Sequence, residues 1–177
     1  MKHLLRNLAL VALLCVPWVT QAQTVTIGEG TSSTNYVPIG TYYNYSFSEQ
    51  LYTAAEIGQS GTIISIGFNY ASSTAKDFPI VVYMKAVDDE SLSSGWISLS
   101  ASDEVFSGTL SVTGSGWQTI ELDAPFSYDG SKNLLIAVDK GYVYYYSGNT
   151  WYYSTATGMV RYYNNDNNDA GIDNLSS

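Results

Sequence analysis

From Thr24 onward the apolar positions recur with a period of two rather than 3.6. That spacing is the signature of half-buried β-strands. Within 62–70, Ile64, Ile66, Phe68 and Tyr70 share one face, while Ser65, Gly67 and Asn69 share the other. Ile80, Val82, Met84 and Ala86 alternate with Val81, Tyr83 and Lys85. Ile120 and Leu122 oppose Thr119 and Glu121, and Leu134, Ile136 and Val138 alternate with Leu135, Ala137 and Asp139. Turn-forming residues punctuate these runs at 58–61, 91–95, 108, 114–116 and 129–133. Only 49–57 has helical spacing, through Leu51, Ala54, Ala55 and Ile57. Nothing continues that pattern, so it predicts a single turn or a loop. Many short strands with frequent turns predict an all-β chain, an antiparallel sandwich or barrel.

The pattern does not begin at residue 1. Lys2 and Arg6 open a basic stretch, Leu8 to Val19 is apolar apart from Pro17, and Thr20-Gln21-Ala22 ends in small residues. This is the layout of a cleaved signal peptide over 1–22, and its apolar run is too short to span a membrane. Cys15 lies mid-run behind Leu14, away from the place of a lipid-anchored cysteine. The predicted mature chain carries five basic side chains against sixteen acidic ones, a net charge of −11. It also loses Cys15 and His3, the only cysteine and the only histidine. Ser-His-Asp and Cys-His catalysis are then excluded, as are zinc sites built on those ligands and histidine pH switches. The acidity argues against nucleic acid as a partner. No later apolar run is long enough for membrane insertion. The expected location is secreted or at the cell surface.

No repeat or linker divides the rest, so 23–163 reads as one domain. The segment 164–177, from Asn164-Asn165-Asp166 to Leu175-Ser176-Ser177, shows no strand pattern. It is expected to be a polar tail or a truncated connection, with the final strand of the sandwich lacking.

Several segments together carry a family resemblance. They are Thr24-Val25-Thr26-Ile27-Gly28-Glu29-Gly30, Tyr42-Tyr43-Asn44-Tyr45-Ser46, Gln50 to Gly58, Ala101 to Gly108, and Trp117 to Gly130 leading into Asn133-Leu134-Leu135-Ile136-Ala137-Val138. Across 24–163 the chain resembles the N-terminal jelly-roll-like module of large secreted surface proteins of gut and oral anaerobic bacteria. It is similar, more loosely, to the cleaved-adhesin jelly rolls of bacterial hemagglutinins. The resemblance implies a jelly-roll β-sandwich belonging to a longer polypeptide. It implies adhesin-like or carbohydrate-binding-like recognition of a glycan or host surface protein, or a structural spacer with no ligand of its own.

The stretch 141–163 holds eight of the sixteen tyrosines together with Trp151. Gly148-Asn149 suits a two-residue hairpin turn. That register pairs Tyr146 with Trp151 and Tyr144 with Tyr153, and sets Tyr144, Tyr146, Trp151 and Tyr153 on one face. Such a face is a candidate ligand platform, because sugar C–H faces stack on aromatic rings while phenols exchange hydrogen bonds. Cross-strand aromatic pairing within the core produces the same pattern.

Asp166, Asp169 and Asp173 offer hard oxygens that suit calcium, although their spacing is not that of an EF-hand. Asp88-Asp89-Glu90 reads as a solvated loop tip. Glu121 and Asp123 lie two apart on one strand, as a glycosidase pair could, but so do acids on any solvent-facing strand. Gly28-Glu29-Gly30 lacks the lysine and helix of a phosphate loop. No enzymatic activity is expected. A surface-fibre subunit accepting a donated strand ranks behind the binding module and the spacer.

Overall fold

The computed structural model describes residues 23–144, 148–173 and 175, and the expected signal peptide lies outside them. Nine strands make two sheets: β1 (Ser32–Thr34), β2 (Tyr45–Tyr52), β3 (Gly61–Tyr70), β4 (Lys76–Val87), β5 (Glu104–Val112), β6 (Gly116–Tyr128), β7 (Asn133–Lys140), β8 (Trp151–Tyr153) and β9 (Val160–Asn165). One sheet has the order β1-β8-β3-β6 and the other β5-β4-β7-β2-β9, with every pairing antiparallel. The order 1-8-3-6 against 5-4-7-2 is that of a jelly roll, two Greek keys folded face to face. The closing position is filled, because β8 lies between β1 and β3. The expectation of a lacking final strand is therefore corrected. β9 adds one more strand at the edge of β2, and it takes Asn164 and Asn165 out of the expected tail.

The inner faces supply the main core. Ile80, Val82 and Met84 of β4, Leu134, Ile136 and Val138 of β7, and Phe68, Tyr70 and Ile120 of the facing sheet pack together. These are the faces that the alternation predicts, with one exception. Between the pairs Ile63↔Phe126 and Ser65↔Glu121 the register shifts, with Ile64 of β3 standing against Leu122 to Pro125 of β6. Pro125 has no N–H to give a ladder, and the bulge it sits in reverses the inside–outside parity of β3. Ile63 turns toward the core and Ile64 is left 49% exposed.

The 49–57 segment divides between two elements. Its first half finishes β2, and Ala54–Ile57 forms a single helical turn, α1, held by a Thr53/Glu56 capping box and ended by Gly58 at φ 68°.

The five-stranded sheet is buried on its outer face as well. Phe47, Tyr83 and Ala137 are covered by Trp96, Leu99, Ala170, Ile172 and Leu175. Leu51, Val87 and Leu135 are covered by Leu92, Ile97, Leu99 and Met159. The expected polar tail is thus part of the domain. Its few apolar residues dock on the sheet while Asp166, Asn167, Asn168, Asp169 and Asp173 stay at the surface. Two-sided burial also explains why β7 is apolar at five successive positions, Leu134 to Val138.

This cover traps two carboxyl groups. Glu49 is fully buried between the covering segments and accepts a hydrogen bond from the Ile97 N–H at 3.1 Å. Burial pushes its pKa up to about 7, against the opposing pull of that N–H and of the Arg161 guanidinium. Asp139 is likewise raised to about 7 by burial and by the neighbouring Asp169 carboxyl. Both folded values exceed the unfolded ones. Their stabilising contribution is therefore complete below the ordinary carboxylate range and declines as pH rises to about 7. We expect Glu49→Gln to raise the melting temperature by several degrees at pH 8, corresponding to roughly 2–3 kcal/mol, and to change it little at pH 4. Thermal melts across that range test this, and an equal effect at both ends would contradict it.

Candidate functional site

The aromatic platform expected from the sequence does not form. Trp151 has no exposed surface. Its ring lies 4.8 Å from that of Tyr70 and 6.0 Å from that of Phe78, with Phe68 edge-on at 6.4 Å. β8 pairs with β1, placing Tyr153 opposite Ser32, and with β3 through Tyr70↔Trp151. It does not pair with Tyr144, which is 65% exposed on the segment after β7, and Tyr146 lies outside the described residues. The physical reason is area. A buried indole removes far more apolar surface from water, at about 25 cal/mol per Å², than a solvent-facing aromatic ladder would. The turn region serves this insertion. Thr41 donates its hydroxyl to the buried Asn149 carbonyl, and the Ser72 hydroxyl accepts from the Thr150 N–H at 2.9 Å.

The proposed calcium ligands are also dispersed. Asp166 accepts from the Asn44 N–H at 3.2 Å. Asp169 sits beside Asp139, and Asp173 is exposed. Among the described residues no three acidic or histidine side chains converge as a metal site would require. Asp166 lies against Asn44, while the charges of Asp169 and Asp173 both bear on the Tyr83 phenol.

A different site emerges where β8 leaves β3. Pairing between these strands stops after Tyr70↔Trp151. Beyond that point the chain from Tyr152 to Ala156 diverges from the Gly67–Asn69 stretch of β3, and the gap is a cleft of about 470 Å³. That volume is in the range of small-ligand sites. Its floor is reached through the gap and includes Phe68 and Gln50. Gln50 is 94% buried, and its amide nitrogen donates to the Ser48 hydroxyl at 2.7 Å. Ser48 in turn donates to the Pro38 carbonyl, so this amide is held in one orientation.

The rim is aromatic. Tyr152 and Tyr153 are 40% and 39% exposed, and Trp117 is 57% exposed. Trp117 stands opposite Asn69 on the outward face of β6, and its ring carbon Cε3 lies 3.5 Å from where a Gly67 β-carbon would be. The indole therefore lies over the glycine, which leaves it room. Tyr52 is also in the lining, and burial followed by the Glu56 charge pushes its phenol up to about 12. It remains a hydrogen-bond donor throughout the physiological range. Two carboxylates line the cleft, Glu29 and Glu56, and among the described residues no lysine or arginine does. Glu56 Oε2 is committed to the Thr53 N–H and hydroxyl, each at 2.7 Å.

Of the platform residues that are described, Tyr153 alone lines this cleft, beside its neighbour Tyr152. Trp117 was legible. The alternation that puts Ile120 and Leu122 inward puts Trp117, Thr119 and Glu121 outward, and a large aromatic ring on an otherwise polar face is a signal of an interaction surface. Gln50, Tyr52 and Asn69 carried no such signal, because their meeting depends on the divergence of β8. No family model, curated protein or solved structure matches this chain.

The two tryptophans should behave oppositely. Trp151→Ala is expected to cost about 3–5 kcal/mol of stability, as large aromatic core truncations do. Trp117→Ala should fall within about 1 kcal/mol of the native chain. Urea unfolding of both variants measures this, and a comparable loss from Trp117→Ala would show that its ring is structural.

Proposed function

We propose that this chain is a non-catalytic secreted surface module, of adhesin-like or carbohydrate-binding type, that holds a glycan in the cleft between β3 and β8. The observation that carries this reading is the exposure of Trp117, Tyr152 and Tyr153 around a concave site with fixed polar groups at its floor. Solvent-facing aromatic rings present flat apolar surfaces to sugar C–H faces, and the phenol groups and the Gln50 and Asn69 amides suit hydroxyl-rich ligands. The reading is consistent with the expected secretory leader and the kind of module that the sequence resembles. Among the described residues no helix is long and apolar enough to cross a membrane.

A glycan-array screen of the folded chain, with Trp117→Ala and Tyr153→Ala beside it, tests the proposal. Binding should appear in the native chain and fall at least about tenfold in Trp117→Ala, given that an aromatic contact at a binding centre is commonly worth more than 1 kcal/mol. Silence from a cooperatively folded native chain would favour the spacer role. Hydrolysis of a retained glycan would overturn the non-catalytic part of the reading.

A further inference from the structure

The segment before β1 forms one wall of the cleft through Ile27, Gly28, Glu29 and Gly30. It runs beside the chain leaving β8, where Gly30 meets Tyr153 and Gly28 meets Ser154. The approach is close enough to require glycine twice. A β-carbon at Gly30 would overlap the Tyr153 carbonyl oxygen, and one at Gly28 would meet the Ser154 hydroxyl. Gly28 also has φ +84°, a conformation that L side chains rarely adopt. Gly28-Glu29-Gly30 is thus a docking motif with an acidic residue between its two contacts. Glu29 is exposed and lies in the lining, and Glu56 adds a second negative charge across a site that has no cation. The whole chain carries a formal charge of −9, so the surroundings reinforce this sign.

The geometry points to a cleft that selects saccharides without acidic groups, with Glu29, positioned by the Gly28 and Gly30 contacts, as the residue that rejects uronic, sialylated or sulfated ligands. This rests on the glycan reading above and narrows it. The aromatic rim supplies attraction that is indifferent to charge. The carboxylates supply the discrimination, because a like charge brought into a partly dehydrated cleft is repelled more strongly than in open water. Neutral sugars escape that penalty, and an amino sugar gains from it.

Binding of matched neutral and acidic oligosaccharides to the full chain, at low and high salt, tests the inference. The native chain should retain neutral ligands at least about fivefold better at low ionic strength, with the ratio shrinking in 1 M salt as screening sets in. Glu29→Gln should move the ratio toward one, chiefly by raising the binding of acidic ligands. Gly30→Ala, whose β-carbon would push the wall and the Tyr153 backbone apart, should move the ratio toward one and also weaken neutral binding, with the sandwich still folded by circular dichroism. A native ratio of one, a preference for acidic ligands, or a ratio that Glu29→Gln leaves unmoved overturns the selectivity alone. Absence of any bound glycan overturns the function on which it rests, and the selectivity with it.

Discussion

Burial of the Trp151 indole is the constraint on which the candidate site depends. The ring enters the core between Tyr70 and Phe78 and sets β8 in the closing position of the four-stranded sheet. With one end of a three-residue strand pinned there, the chain beyond Tyr153 is free to follow β1 rather than β3. The opening that results is a local failure of sheet pairing. It exposes core-facing Gln50 and Phe68 at the bottom of a cleft and leaves Tyr152, Tyr153 and Trp117 at its rim. Stability and the cleft are thus coupled through a single side chain that is not part of the cleft lining.

The second sheet solves a different problem. Its outer face is too apolar to meet water, and two irregular segments cover it. The cover is built from scattered residues, among them Leu92, Trp96, Ile97, Ala170 and Ile172, with polar chain between them. Such a layer brings buried carboxyl groups with it, since Glu49 and Asp139 occupy positions on that face. Desolvation of these groups opposes the apolar burial around them and makes this side of the molecule more sensitive to pH than its surface charges would. Lys140 is the basic counterpart on the same strand as Asp139. It is fully buried, donates to the Tyr43 and Asn44 carbonyls at 2.7 and 3.0 Å, and is lowered to about 8 chiefly by desolvation. It remains mostly charged below that value.

Local pattern and tertiary context divide cleanly along the chain. The period of two in β3, β4, β6 and β7 was legible because each strand turns one face toward a common core. The alternation failed at Ile64, where the cause was Pro125 on the partner strand rather than anything in β3 itself. The aromatic segment failed more completely. Gly148-Asn149 is a reasonable hairpin turn locally, but Trp151 stands opposite Thr34 and Tyr70 and its ring packs in the core.

The sequence by itself determined the all-β class, the turn positions and most inward-facing residues, since these follow from the local alternation of side chains. It also determined the acidic character of the chain and the absence of cysteine and histidine after residue 22. Tertiary structure alone decided that Trp151 is core and Trp117 is rim, that the acidic C-terminal segment is a cover rather than a metal site, and that Gly28-Glu29-Gly30 walls a cleft. Each of those outcomes depends on contacts between residues about 40 or more positions apart, and local periodicity carries no information about which distant surface a side chain will meet.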